Sequence, residues 1–258
     1  MYQQIRKIIA INSFANKYKL YYNVKDYLCG PFIIKKEREM YNLIFNTQIS
    51  PQEKVIIFLS YTLAVMIALT IHEFSHAFVA HKLGDNTAKL AGRLSLNPIV
   101  HFDVLGLISF VIFGFGWARP VPINPYNFRN IRKGTLLVSL AGIIANLILA
   151  FVFYPLALLL LRVSDGTIAL DFLSYLFYFI YLTNLALMVF NLLPVYPLDG
   201  FNALASQVSY SNSYVNFNYR YGPILLIALA LIISYTNVFQ KLIVIIGYPI
   251  TAFWGLFF

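Results

Sequence analysis

Val55-Ile56-Ile57-Phe58-Leu59-Ser60-Tyr61-Thr62-Leu63-Ala64-Val65-Met66-Ile67-Ala68-Leu69-Thr70-Ile71 runs without interruption into His72-Glu73-Phe74-Ser75-His76. Everything from Val55 to Ile71 is apolar or small, apart from the hydroxyls of Ser60, Tyr61, Thr62 and Thr70. With the residues that follow to Leu83, the stretch is long enough for a helix to cross a bilayer, which takes about 20 residues. Two imidazoles and a carboxylate then appear inside the apolar pattern, where each polar group costs several kcal/mol unless it finds a partner. His72 and His76 stand four residues apart, so their rings lie one above the other on one helix face. This stretch sets the reading of the whole chain.

Two stacked imidazoles with a glutamate after the first form the HExxH arrangement, in which the rings hold zinc and the carboxylate takes a proton from water at the ion. The chain is only 11% charged and has four histidines in all, half of them in this pentad. Coincidence is a poor account of such placement. Of the 258 residues, 60% are hydrophobic, against about 45–50% in a soluble domain. The fold class expected is an all-α polytopic membrane protein with about five to six transmembrane helices and a short membrane-associated β or re-entrant segment. The formal charge of +9 gathers in the N-terminal region and one loop, where anionic lipid headgroups explain it without nucleic acid. Cys29 is the only cysteine, which excludes an intrachain disulfide and thiolate ligation of zinc.

Residues 1–54 are basic and aromatic, with no signal-peptide core and no run long enough to span. They are expected to lie on the membrane surface or to be disordered. Residues 55–205 are expected to form the catalytic core, and 206–258 a polar loop and C-terminal spans. Lys82-Leu83-Gly84-Asp85-Asn86 reads as a helix stop. Residues 88–96 alternate well enough for a short strand. Val104–Trp117 is too short for a comfortable span and reads as re-entrant or interfacial. Arg119–Pro125 is extended chain by its prolines. Spans follow at Leu136–Leu161, Phe172–Leu193, Gly222–Tyr235 and Leu242–Phe258. The first 54 residues hold nine Lys/Arg and the 82–133 loop seven. One crossing by the Val55 helix puts them on opposite faces, so the positive-inside rule pulls both ways; the loop's charges lie close to two spans, which leans towards a cytoplasmic loop.

A catalytic zinc needs a third protein ligand and an open position. The HExxHxxGxxH extension fails, because Val79 and Lys82 stand where it needs Gly and His. No glutamate occurs after Glu73. His81 lies about 140° around the helix from His76. The remaining candidates are His101, Asp85, Asp103, Asp165, Asp171 and Asp199. Asp85 suits its turn; Asp165 and Asp171 suit a solvated loop. Asp199 stands apart, following a long apolar span and a segment broken by Pro194 and Pro197, which could bend its carboxylate back to the imidazoles. The plain alternative is a helix N-cap.

HEFSH in an early span, with Asn191-Leu192-Leu193-Pro194 running into Leu198-Asp199-Gly200, resembles the site-2 proteases, intramembrane zinc metallopeptidases. The likeness covers roughly residues 55–205 and fits the compact form without PDZ or CBS modules. It also takes in Gly84-Asp85, the Gly92–Pro98 region, Gly116–Pro122 and Gly142 through Asn146. The resemblance implies one Zn2+ per chain held by His72, His76 and Asp199, with Glu73 as general acid/base and Asn191 beside the bound peptide. It implies a transmembrane helix of a membrane-protein substrate and the lipid bilayer as partners, and a multi-pass protein of the cell membrane. Asn184 is a second candidate for the oxyanion, and helix–helix hydrogen bonding is the plain reading of both asparagines. Two rival functions are a metal-binding or transport protein and a catalytically silent helix-binding scaffold. Transport predicts further intramembrane acids or histidines, which the spans hardly supply. A silent scaffold predicts an altered HExxH, and this one is intact.

Overall fold

The computed structural model describes residues 50–106, 109, 117–164, 166–209 and 211–258. Helix α1 (Pro51–Lys82) opens with Ser50, whose hydroxyl accepts from Glu53 N at 3.2 Å, and with a proline at the first position, where its missing N–H costs nothing. The other elements are α2 (Thr87–Leu90), α3 (Ile131–Val163), α4 (Ile168–Asn191), α5 (Asp199–Ala205), α6 (Ser213–Tyr235) and α7 (Val238–Trp254). Helices α1, α3, α4 and α6 are long and apolar enough to cross a membrane, and α7 is a shorter apolar helix. The chain is an integral membrane protein.

The buried positions explain how the helices meet. On α1, Ser60, Ala64, Ala68, His72, His76 and Ala80 are buried at every fourth position. On α3 the series is Val138, Gly142, Asn146, Ala150 and Tyr154. Side chains four apart form a ridge along a helix, and small residues on such a ridge let backbones approach closely. Each series includes small residues, Ser60, Ala64, Ala68 and Ala80 on α1 and Gly142 and Ala150 on α3, and carries His72 and His76 or Asn146 among them. Helices α1, α3 and α4 pack pairwise, and α5 lies on α3. An apolar cluster of Ile143, Ala150, Tyr181, Leu185, Met188 and Ile243 joins α3, α4 and α7. Ala64, Leu176 and Ile180 join α1 to α4, and the Ser60 hydroxyl donates to Phe172 O at 3.2 Å across the same seam.

Several expectations need correction. No strand forms at 88–96: Thr87–Leu90 is one turn of helix, with Ala91 N donating to Thr87 O at 3.0 Å. Among the described residues the only β pairing outside helices is an isolated bridge, Phe102 with Ala118. The polar stretch 206–220 is not all loop, because α6 begins at Ser213, capped by Asn212 Oδ1 accepting from Tyr214 N at 2.9 Å. The re-entrant segment expected at 104–117 falls mostly outside the described residues, as does the tail up to 49.

Candidate metal centre

His72 and His76 project from α1 into the seam with α3, 5% and 6% exposed. Each ring is held from behind. His76 Nδ1–H donates to the backbone oxygen of Val138 at 2.7 Å, and His72 Nδ1–H donates to Asn146 Oδ1 at 2.7 Å. A carbonyl oxygen can only accept, so both rings carry their proton on Nδ1 and turn a bare Nε2 inward. The fit is close enough to need a glycine. A Cβ on Gly142 would lie 2.5 Å from His72 Cε1 and 2.6 Å from His76 Nε2.

Asp199 arrives from the far end of α4. The chain reverses at Leu192–Leu198, with Val195 N donating to Leu193 O at 2.9 Å and Leu198 N to Val195 O at 2.8 Å. Gly200 closes this reversal, because a Cβ there would sit 2.3 Å from Leu192 O. Asp199 is the first residue of α5, and Leu198 stands at the cap position. The N-cap alternative therefore fails. Its Oδ2 lies instead 3.2 Å from His72 Nε2 and 3.1 Å from His76 Nε2, while the two Nε2 atoms are 3.0 Å apart. Three atoms around a tetrahedral zinc at 2.0–2.1 Å stand about 3.3–3.4 Å from one another. This triangle is near that size. With both protons on Nδ1, three lone pairs face one point with no hydrogen between them, and Asp199 Oδ2 is buried without a hydrogen-bond partner. Such a donor set is repulsive by itself and fits a divalent cation.

Glu73 is half-buried, and its Oε2 accepts from Val121 N at 3.0 Å. Val121 lies in the extended segment beginning at Arg119, whose backbone is held from the other side by the buried Arg93, donating to the carbonyls of Arg119 and Pro120. An extended segment of this kind offers backbone donors for edge pairing with a peptide. Much of its donor capacity is already used: Arg119 N reaches His101 O, Val121 N reaches Glu73, and Asn124 N reaches Asp85 Oδ2.

The other candidate ligands go elsewhere. His101 donates from Nε2 to Ser95 O at 2.7 Å, and His81 Nδ1–H pairs with Asn86 Oδ1 at 2.6 Å at the helix end. Asp103 caps Gly106 N, and Asp171 accepts from Ser164. Asp85, fully buried, accepts from Thr87 N and Oγ1, Asn124 N and Asn127 Nδ2. Burial pushes its carboxyl up, but the hydrogen bonds from Thr87, Asn127 and Asn124 outweigh it and hold the group below its ordinary range. Asp165 lies outside the described residues. Asn191 donates from Nδ2 to Leu187 O at 3.1 Å. Asn184, a candidate for the oxyanion, is fully buried against Asn146. Sequence reasoning missed the part Asn146 plays. The available signal was its place on the Gly142 face of the same helix, one turn further on.

The model of Peptidase family M50 matches residues 160–232, the stretch that carries Asp199. Three similar proteins share the name "Putative zinc metalloprotease". YwhC of Bacillus subtilis is 44% identical over 149 residues, covering 57% of this chain and 68% of that protein. Rip2 of Mycolicibacterium smegmatis is 30% identical, covering 62% of each. MJ0611 of Methanocaldococcus jannaschii is 29% identical, covering 58% of this chain and 71% of that protein. No solved structure matches the chain. A family model seated on the Asp199 segment, and a relative matched at this identity over two thirds of its length, place the chain among the M50 peptidases, the site-2 protease type of metalloprotease.

Proposed function

We propose that the chain is an intramembrane endopeptidase that holds one zinc ion on His72, His76 and Asp199. It would hydrolyse a peptide bond in or beside a transmembrane segment of a membrane-protein substrate, in regulated intramembrane proteolysis or in clearance of membrane peptides. The observation that carries this reading is the triangle of inward-facing lone pairs, 3.0–3.2 Å on a side, one residue from a carboxylate. Zinc in that position would supply an acidified water and polarise the scissile carbonyl. Glu73, anchored through one oxygen to Val121 N, has its other oxygen to take the proton from the attacking water and pass it to the leaving amine. Asn191 stands in this reading as a polar group beside the bound peptide. One hydrogen of its amide goes to Leu187, and an amide nitrogen has a second to give.

Water needs a route to a site enclosed by helices. Arg132, Thr135 and Ser139 descend one face of α3 towards Gly142, and with Asn202 and Ser206 they line a cavity of about 290 Å³. These polar groups, set among apolar neighbours such as Phe128, Ile131 and Val138, support access from the side carrying Arg129–Lys133. The loop's charges, close to two spans, lean that side towards the cytoplasm of a cell-membrane protein. Residues 55–205 would then be the catalytic unit.

The test is Glu73→Gln in the full chain, reconstituted with a model transmembrane substrate. Zinc content should stay at wild-type level while cleavage disappears. Continued cutting by that variant would refute the role given to Glu73.

A further inference from the structure

Behind His72 lies a buried chain of three hydrogen bonds that crosses from α3 to α4. His72 Nδ1–H donates to Asn146 Oδ1 at 2.7 Å, Asn146 Nδ2 donates to Asn184 Oδ1 at 2.9 Å, and Asn184 Nδ2 donates to Ile180 O at 2.7 Å. Both asparagines are fully buried. The direction of the chain is fixed at its far end. A backbone carbonyl only accepts, so Asn184 must turn its NH2 to Ile180 and its oxygen to Asn146. Asn146 must then present NH2 to Asn184 and oxygen to His72. His72 is left one tautomer, Nδ1–H, with the lone pair on Nε2.

We propose that Asn146 and Asn184 are positioning residues for the metal ligand His72, relaying the polarity of the Ile180 carbonyl on α4 to a ring on α1. The proposal rests on the zinc reading above and deepens it. If either amide were free to flip, the ring could turn its lone pair away from the site. Partners behind a metal-ligating histidine fix its tautomer and raise its basicity. His76 needs no such device, because Val138 O is already a pure acceptor. Asn184, which touches no ligand, acts only through Asn146.

The test measures zinc affinity of the detergent-solubilised full chain by competition with a chromogenic chelator, with thermal unfolding of the metal-free chain as the folding control. Asn146→Leu and Asn184→Leu should each weaken zinc by about 10- to 100-fold. The double variant should be no weaker than Asn146→Leu alone, since residues acting in series are not additive. Asn146→Asp keeps an acceptor for His72 and should stay within about threefold of wild type, the small change expected when the ring keeps its partner. A merely structural role would make Asp as damaging as Leu. Alanine at either position is read in place of leucine if the larger side chain prevents folding. Wild-type affinity in folded Asn146→Leu, equal losses for Asp and Leu, or additive losses in the double variant would each overturn the relay. Failure of wild-type chain to hold zinc, or zinc retention unaffected by His72→Ala, would instead overturn the zinc reading.

Discussion

At the scale of single residues, the proposed metal ligands stand out because chemistry restricts who can do the work. Imidazoles four apart in an apolar helix have few other uses, and Asp199 stood apart among the few acids by its place after a proline-broken segment, with a helix N-cap as its plain alternative. Asn146 was not, because a mid-span asparagine ordinarily means a bond between helices, and its partner lies 74 positions away. Gly142 shows the opposite case, a residue whose absence of side chain is the contribution. Adding one methyl there places carbon 2.5–2.6 Å from atoms of both rings, too close for either ring to stay. Gly142→Ala should therefore lower zinc affinity at least as much as losing a ring partner, about tenfold or more, with a smaller effect on the melting of the metal-free chain. Chelator competition beside thermal unfolding separates the two. Unchanged zinc affinity in that variant would mean the rings have room that these contacts deny.

At the scale of elements, the spans were readable from their apolar lengths, and the errors came where short polar segments fold by local bonding. Residues 88–96 alternate like a strand, yet Asp85 captures Thr87 N and Oγ1 and starts a helical turn that periodicity over so few residues cannot reveal. Ser213–Arg220 looks like a loop by composition, but an asparagine cap begins a helix there. Asp85 ties the end of α1 to the segment 124–127 through Asn124 and Asn127. Replacing it by alanine strands several buried donors and should cost about 2–3 kcal/mol. Its carboxyl titrates lower in the folded chain than in the unfolded one. The stabilisation is therefore complete above about pH 5 and is lost as pH falls through the ordinary carboxylate value, near 3.9, to the folded one. Wild-type melting temperature should fall on acidification over that range, and Asp85→Asn should start lower and fall less. Parallel curves for the two proteins would show that another group governs the acid limb.

At the scale of the whole molecule, α1 has 32 residues and extends about 48 Å, well beyond a hydrocarbon core of about 30 Å. The apolar run from Val55 to Ile71 accounts for about 26 Å of it. His72 and His76 follow that run directly, towards the end of α1 that leads into the 83–130 loop. Only 11% of the apolar window of α6 is buried within the protein, against 56% for α4, so α6 turns most of its surface away from the other helices. Composition alone does not show such an arrangement, because both helices are apolar enough to cross a membrane. The three proposed ligands come from α1 and α5, and their supports from α3, so zinc held there would clamp parts far apart in sequence. At a free zinc level a thousandfold above its dissociation constant, chelation should remove about 4 kcal/mol of stability. Thermal unfolding with and without chelator measures it, and His72→Ala should show no such shift. Identical melting of the wild type in both conditions would mean that the folded chain gains nothing from the ion. The unequal anchoring of the two imidazoles sets the terms for anyone wishing to retune this centre. The oxygen behind His76 belongs to the main chain, beyond the reach of any codon, whereas the one behind His72 can be exchanged at will. A laboratory selection for cobalt or cadmium in place of zinc would find one dial to turn, not two.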